Sequence, residues 1–496
     1  MAFADKGEAS FIERVEGEAD LGSQLHVTFT PDAERKVLRK IDLRLIPCLL
    51  LSFALQYVDK IILNGAAQFG VIKDLHLYEL KTNPVTGQPT QDLHRYSNAT
   101  LIFYWGYLAG VFPAAALVQR VPLGKLIPGS IVCWGAVVML TVLVKGYQAF
   151  LIQSLVAPAF TIITAMWWKK SEQPLRLCLW YTSTGLGGLL GSILLFGIGH
   201  IQGPLHPWKY QYLILGAMTV IWGVSLFWLL PDSPVEASFL DQTERSIAVK
   251  RIERGGVKPE DRAFKLYQIK ETVLDPKTWL FLILVFCVNA VNGAISGFGS
   301  VIVRGFGYSQ FTSILLTGAV GAVVLVALIV IGAVGTFVRN TRLVLLIASE
   351  AVVIVGSCLV WKVSWTQNRG AAIGGFMIMG FFAAAYTMVL ASSIGNTAGL
   401  TKKSFTSGLI WAVYCICNGV APLWVRTTEQ HDQYPTLFIA VISTAAAAIV
   451  AALALRLYLQ YLNRRRHAQY GDPSIYSLEC RADMTDGEDI NFRYCL

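Results

Sequence analysis

Apolar runs of roughly twenty residues, each long enough to cross a bilayer, recur about twelve times along this chain, in two groups of about six. The first group occupies residues 45–69, 99–117, 126–144, 149–168, 175–198 and 210–230. The second occupies residues 278–295, 312–337, 343–361, 371–393, 406–424 and 437–459. Between the groups lies one charged, proline-containing stretch, Pro231 to Asp275. The runs are continuous and do not alternate with period two, so they predict helices; a membrane barrel would show short alternating segments. The expected fold class is an all-α polytopic membrane protein of about twelve transmembrane helices in two six-helix halves. The expected divisions are an N-terminal tail (1–44), a first half (45–230), a linker (231–276), a second half (277–460) and a C-terminal tail (461–496). More than forty mostly polar residues precede the first run, which therefore reads as a span and not as a cleavable signal.

Composition agrees with a lipid environment. Hydrophobic residues make up 54% and charged residues 15%, with a mean hydropathy of +0.52, far from the values of soluble domains. Lys and Arg collect in alternate connections. Arg35, Lys36, Arg39, Lys40 and Arg44 precede the first run, Lys169, Lys170 and Arg176 follow the fourth, and Arg464, Arg465 and Arg466 follow the last. This bias predicts both termini in the cytoplasm. It also accounts for the formal charge of +9, so nucleic acid is not an expected partner. Residues 1–34 and 468–496 are polar, mixed in charge and expected to be disordered ends.

Chemistry-bearing clusters are sparse. Of the nine cysteines, Cys480 and Cys495 lie on the C-terminal tail, and the rest fall within the apolar runs, where a thiol packs as a small hydrophobe. Cys415 and Cys417 have the spacing of half a metal site but no further ligand nearby in sequence, so no metal or other cofactor is expected. The chain carries no phosphate-binding Gly-x-x-x-x-Gly-Lys-Ser/Thr pattern and no nucleophile constellation, which argues against ATP-driven pumping and against an enzyme. Asn98-Ala99-Thr100 is a glycosylation sequon set too close to the second run for easy modification.

The polar residues inside the runs are more informative. Asp59 and Lys60 lie roughly 21 Å along the first run, past mid-membrane, where an ionised group costs several kcal/mol unless paired or hydrated. Two readings stand. Asp59 carries a coupling proton while Lys60 attracts an anion, or the pair forms a structural salt bridge. Helical spacing places Gln56 and Asn64 near the same face. Asn289 and Asn292 are their counterparts in the second half, followed by Tyr386 and Asn418, and each could equally be an interhelical hydrogen bond. Gly185, Gly187, Gly188 and Gly191, like Gly374 and Gly375, permit close helix approach.

Several motifs carry a family resemblance. They include Ser52-Phe53-Ala54-Leu55-Gln56-Tyr57-Val58-Asp59-Lys60 and Phe103-Tyr104-Trp105-Gly106-Tyr107-Leu108-Ala109-Gly110. Gln119-Arg120-Val121-Pro122-Leu123-Gly124-Lys125, Asp275-Pro276-Lys277-Thr278-Trp279 and Asn396-Thr397-Ala398-Gly399-Leu400-Thr401-Lys402-Lys403 extend it. Together these resemble the anion:cation symporter family of the major facilitator superfamily, in its fungal allantoate permease branch, over residues of about 40 to 460. The resemblance implies a secondary transporter that takes up a small organic anion, such as allantoate, a ureido acid, nicotinate or pantothenate, with protons by alternating access. It implies a multi-pass protein of the plasma membrane that needs no oligomeric partner. A cytoplasmic gate at Arg120, Gly124 and Lys125 follows from the same resemblance. Gln119 stands where the superfamily usually has an acid, leaving Glu172 or Arg176 to supply closing contacts. The fourth run departs from the family: about two helical turns, ~11 Å, are missing before Pro158-Ala159-Phe160, together with the arginine and glutamate of the family pattern. That gap keeps open one alternative, a paralogue that no longer transports; a second alternative, independent of the gap, keeps the fold and exports a biosynthetic metabolite.

Overall fold

The computed structural model describes residues 31–82, 89–118, 122–147, 181–231, 237–253, 265–338, 340–471 and 484–496. The chain is an all-α bundle, because continuous apolar runs in lipid can satisfy their backbone groups only within each helix. Its first half contributes α1 (Pro31–Ala66), α2 (His94–Val118), α3 (Leu123–Leu140), α4 (Ser183–Ile198) and α5 (Pro207–Leu229). Two polar helices follow, α6 (Gln242–Glu253) and α7 (Leu266–Leu274). The second half contributes α8 (Pro276–Gly305), α9 (Gln310–Phe337), α10 (Arg342–Lys362), α11 (Arg369–Ile378), α12 (Phe382–Asn396), α13 (Leu400–Val420) and α14 (Pro435–Tyr470). Among the described residues nine helical segments are long and apolar enough to cross a membrane, with Ser183–Ile198 a shorter apolar helix. The expected span over residues 149–168 lies outside the described residues, as do Arg120, Glu172 and Arg176 of the expected gate.

Local sequence explains the boundaries. Asp275 caps α8, its carboxylate accepting the Lys277 backbone N–H at 3.1 Å, and Pro276 occupies the first turn, where its missing N–H costs nothing. Ser309 caps α9 through Thr312 N at 3.2 Å. The single run expected over 371–393 is two helices, α11 and α12, joined by a 3-10 turn at Met379–Phe381. A short antiparallel hairpin, β1 (Glu79–Thr82) with β2 (Pro89–Asp92), links α1 to α2. It lies at the end of the bundle remote from the start of α1 and the end of α14, here called the distal face. The opposite, terminal face carries the start of α1, the linker helices and the end of α14. There Lys40 pairs with Glu244 of α6 at 2.6 Å, and that hydrogen bond holds the Glu244 carboxyl below its ordinary pKa.

Within the first half α3 packs on α5, and α1 on both α4 and α5. Within the second half α8 packs on α13 and α14, and α10 on α11, α12 and α14. The halves meet chiefly where α4 packs on α9 and α2 on α13. Glycine makes the first of these contacts possible. A Cβ on Gly185 would stand 2.7 Å from the Gly321 carbonyl and 2.8 Å from Leu325 N, closer than real Cβ atoms come. Gly187, two residues on, faces the other way, where a Cβ would meet the Ala54 carbonyl of α1 at 2.7 Å. Gly375 serves α10 in the same way, against the Gly356 carbonyl at 2.9 Å, whereas Gly374 has open space beside it.

One expectation fails. The tail was read as a disordered end, yet residues 484–496 pack into the terminal face of the second half, with Thr485, Asp486 and Tyr494 buried. The reason is charge compensation. Lys277 and Lys402, each with a side chain 1% exposed, both pair with the Asp486 carboxylate, Lys402 at 2.9 Å. Two buried ammonium groups require such an anion, and composition alone cannot reveal that a polar tail supplies it. Burial opposes ionisation of Asp486, but Lys277 and Lys402 beside it hold its carboxyl below the ordinary range. The contact is therefore complete above the ordinary carboxylate pKa and is lost only in stronger acid.

Replacing Gly321 by valine should separate α4 from α9. Overpacking of this kind costs about 1–3 kcal/mol. The expected outcome is a lower melting temperature of the purified protein and reduced surface abundance, whereas Gly374→Val should leave both unchanged.

Candidate functional site

The adjacent charges of α1 point to different partners, as their ~100° angular separation on a helix requires. Asp59 turns into its own half. Its Oδ2 accepts hydrogen bonds from Trp134 Nε1 of α3 and Thr219 Oγ1 of α5, each at 3.0 Å. Its Oδ1 is buried without a hydrogen-bond partner among the described residues. Lys60 turns toward the other half, donating from Nζ to Asn292 Oδ1 of α8 at 3.3 Å. No salt bridge joins Asp59 to Lys60 among the described residues.

Lys60 sits among aromatic rings. Its Nζ lies 5.4 Å from the ring centre of Tyr57, 5.6 Å from Tyr104 and 6.0 Å from Tyr414. Asn292 completes the link, its Nδ2 donating to the Tyr414 hydroxyl at 3.2 Å. The rings continue through Tyr386, 5.6 Å from both Tyr414 and Tyr181, and through Trp411, 5.3 Å from Tyr414 and 6.4 Å from Tyr107. Cation–π contacts are worth about 0.5–2 kcal/mol each. Several kcal/mol are forfeited when an ammonium leaves water, so three distant rings and one amide leave Lys60 under-compensated. A site of this kind can hold an anion against Lys60 and its flat or apolar body against the tyrosines.

The other expected residues divide. Gln56 is half-buried with Oε1 unpartnered among the described residues. Asn289 and Asn418 each bond a carbonyl of their own helix, Val285 O and Tyr414 O, at 2.8 Å, and each leaves Oδ1 unpartnered among the described residues. Tyr386 is fully buried, its hydroxyl likewise without a partner. Asn64 is not beside Lys60's amide and rings. It belongs to a seam that closes the distal face, where its Oδ1 accepts from Ser300 Oγ at 2.7 Å and Ser300 N at 3.1 Å. Gln68 extends the seam, donating to Ser300 Oγ at 3.1 Å and accepting from Arg304 at 3.1 Å. Tyr96 donates to the Gly297 carbonyl at 2.7 Å. Beneath the seam is a cavity of ≈40 Å³ lined by Asn64, Thr184, Ser192, Ser296, Ser300 and Thr317 among others, room for very few waters. Of the expected gate, Gly124 is buried and Lys125 exposed at the start of α3.

Sequence reasoning missed two features. The ring cluster was signalled by Tyr104 with Tyr107 and Trp411 with Tyr414, pairs three apart that share a helix face. Glu350 of α10 is 1% exposed with Oε1 unpartnered among the described residues. Its signal was a lone carboxylate inside a 21-residue apolar helix.

Two helical bundles, joined by a seam at one face and with a cation between them that meets no carboxylate among the described residues, fit a membrane transporter. Residues 49–422 match the Major Facilitator Superfamily, and the chain belongs to that family. It is 31% identical to an uncharacterized transporter of Schizosaccharomyces pombe, over 98% of this chain and 93% of that protein. It is 29% identical to the allantoate permease of Saccharomyces cerevisiae, over 95% and 88% respectively. A thiamine pathway transporter of the same yeast is 28% identical over 97% and 90%. In fold it is similar to a bacterial homolog of the human lysosomal transporter Spinster, solved inward-facing and unoccupied. That match has a TM-score of 0.56 at 13% identity and covers 86% of this chain and 97% of that one.

Ser300→Ala removes the hydroxyl on which Asn64 and Gln68 converge, and leaving such groups unpaired costs about 1–3 kcal/mol. Labelling of a Ser296→Cys variant by an impermeant thiol reagent from the distal side should rise several-fold when Ser300→Ala is added. An unchanged rate would show that the seam does not hold this face shut.

Proposed function

We propose that this transporter carries a small organic monoanion together with a proton, by rocking of the halves 45–230 and 277–460 about Lys60. The observation that carries the reading is Lys60 itself, a cation of the first half whose amide and ring partners, Asn292 and Tyr414, belong to the second. An anion arriving there neutralises the charge and touches both halves, which is the differential contact that alternating access requires. Asp59 is the proton carrier in this reading. One carboxylate oxygen holds two donors and the other is free to take a proton. The surrounding rings favour substrates with a flat or unsaturated body.

The similarity to an allantoate permease supports an anionic substrate, while the relative named for the thiamine pathway shows that likeness alone does not choose one. A monoanion moving with one proton transfers no net charge, so the pH gradient alone drives it. Each pH unit then contributes about 1.4 kcal/mol, or about tenfold accumulation. Uptake this way fits a monomer in the plasma membrane with the terminal face, and both chain ends, in the cytoplasm.

The test is uptake of a labelled panel of carboxylates and ureido acids at acid and neutral external pH, in yeast lacking its own relatives. One compound should be taken up faster in acid. Asp59→Asn should abolish the acid stimulation, and Lys60→Gln should raise KM at least tenfold. No uptake by protein shown to reach the surface would favour export or an inactive chain.

A further inference from the structure

The packed tail does more than cover polar surface. Asp486 is 1% exposed and joins three groups from two helices and a loop: Lys277 at the start of α8, Lys402 at the start of α13 and the Ala398 backbone N–H before α13, at 3.3 Å. Around it Asp275 pairs with Lys277 at 3.1 Å and with Lys402 at 3.0 Å, and Glu271 of α7 pairs with Lys402 at 2.8 Å. The tail's backbone is fixed independently. Asn463 of α14 bonds Tyr494 reciprocally, N and O each at 2.9 Å. Asn396 of α12 does the same with Cys495, at 2.8 and 2.7 Å. Arg466 donates to the carbonyls of Asp486, Asp489 and Phe492. The Tyr494 hydroxyl donates to Asp486 Oδ2 at 3.0 Å.

The helices tied together here are the same two that supply the second-half partners of Lys60, Asn292 and Tyr414. Asn292 lies fifteen residues along α8 from Lys277, and Tyr414 twelve residues along α13 from Lys402, so the tie sits roughly 18–22 Å from the site along rigid rods. We propose that Asp486 is a positioning residue for the transport site: by bridging Lys277 and Lys402 it sets the relative register of α8 and α13, and through them the placement of Asn292 and Tyr414 around Lys60. Without Asp486, the two buried ammonium groups share, among the described residues, only Asp275 and the partly exposed Glu271, and their repulsion acts to part the two helix ends.

A readout independent of any substrate is available in Cys415. This thiol lies on α13, is 1% exposed and packs against Tyr104 and Tyr107, so its reactivity reports how α13 sits at the site. The experiment measures the rate of Cys415 alkylation by N-ethylmaleimide in the full-length purified protein, resolved peptide by peptide. Asp486→Asn should raise the rate at least fivefold, and the Lys277→Asp/Asp486→Lys exchange should return it toward the wild-type value. Asn463→Ala and Asn396→Ala weaken the hold on the tail that carries Asp486 to the two lysines while keeping every charge in place, and carry the comparison if Asp486→Asn fails to fold. They should raise the rate in the same direction. Rates within twofold of wild type in Asp486→Asn, or in both asparagine variants, would overturn the proposal. Because no transport is measured, that result would leave the anion–proton reading standing or falling on its own test.

Discussion

Everything in this molecule answers to one constraint: a charge at membrane depth must find compensation inside the protein, because lipid offers none. Asp59 and Lys60 are neighbours in sequence and meet the constraint in opposite ways. Asp59 is compensated within its own half by an indole and a hydroxyl, both neutral donors. Lys60 reaches across the halves to the Asn292 amide and the Tyr414 ring and lies near the Tyr57 and Tyr104 rings of its own half, none of which carries a full negative charge. The imbalance at Lys60 is what supports the proposal of a binding site at the interface between halves. A symmetric salt bridge would have satisfied both residues and left nothing for a substrate to do.

The same constraint shapes the two faces differently. The distal seam is built from neutral groups, Asn64, Ser300, Gln68 and the Tyr96 hydroxyl, with Arg304 at its edge. Neutral hydrogen bonds are worth about 0.5–1.5 kcal/mol each, so such a seam can close firmly and still part when substrate binding shifts the balance by a few kcal/mol. The terminal face of the second half instead holds buried ion pairs, Lys277 and Lys402 with Asp486 and Asp275. Breaking a buried pair costs about 3–5 kcal/mol, which suits a part that must stay whole while the halves move. Between the faces, Gly185 and Gly321 let α4 and α9 touch backbone to backbone, which joins the halves closely there.

Much of this was legible in the order of residues. The apolar runs determined that the chain is an all-α membrane bundle, because twenty apolar residues in lipid have one economical conformation. Asp275-Pro276 determined where α8 begins, and Asp59 with Lys60 announced a site because ionised groups inside a span are expensive. Pairing was not legible. Whether Asp59 faced Lys60, which half Asn292 served and whether Asn64 lined the site or the seam depended on helix rotation and inter-helix register, and residue spacing leaves both free. The tail shows the limit most clearly. By composition residues 484–496 belong with disordered ends, and only the placing of Lys277 and Lys402, 125 residues apart in the chain, beside one another creates the charged pocket that orders Asp486. Sequence determined which groups needed partners; the tertiary structure decided which partners they found, since compensation depends on distance in space and not on distance along the chain.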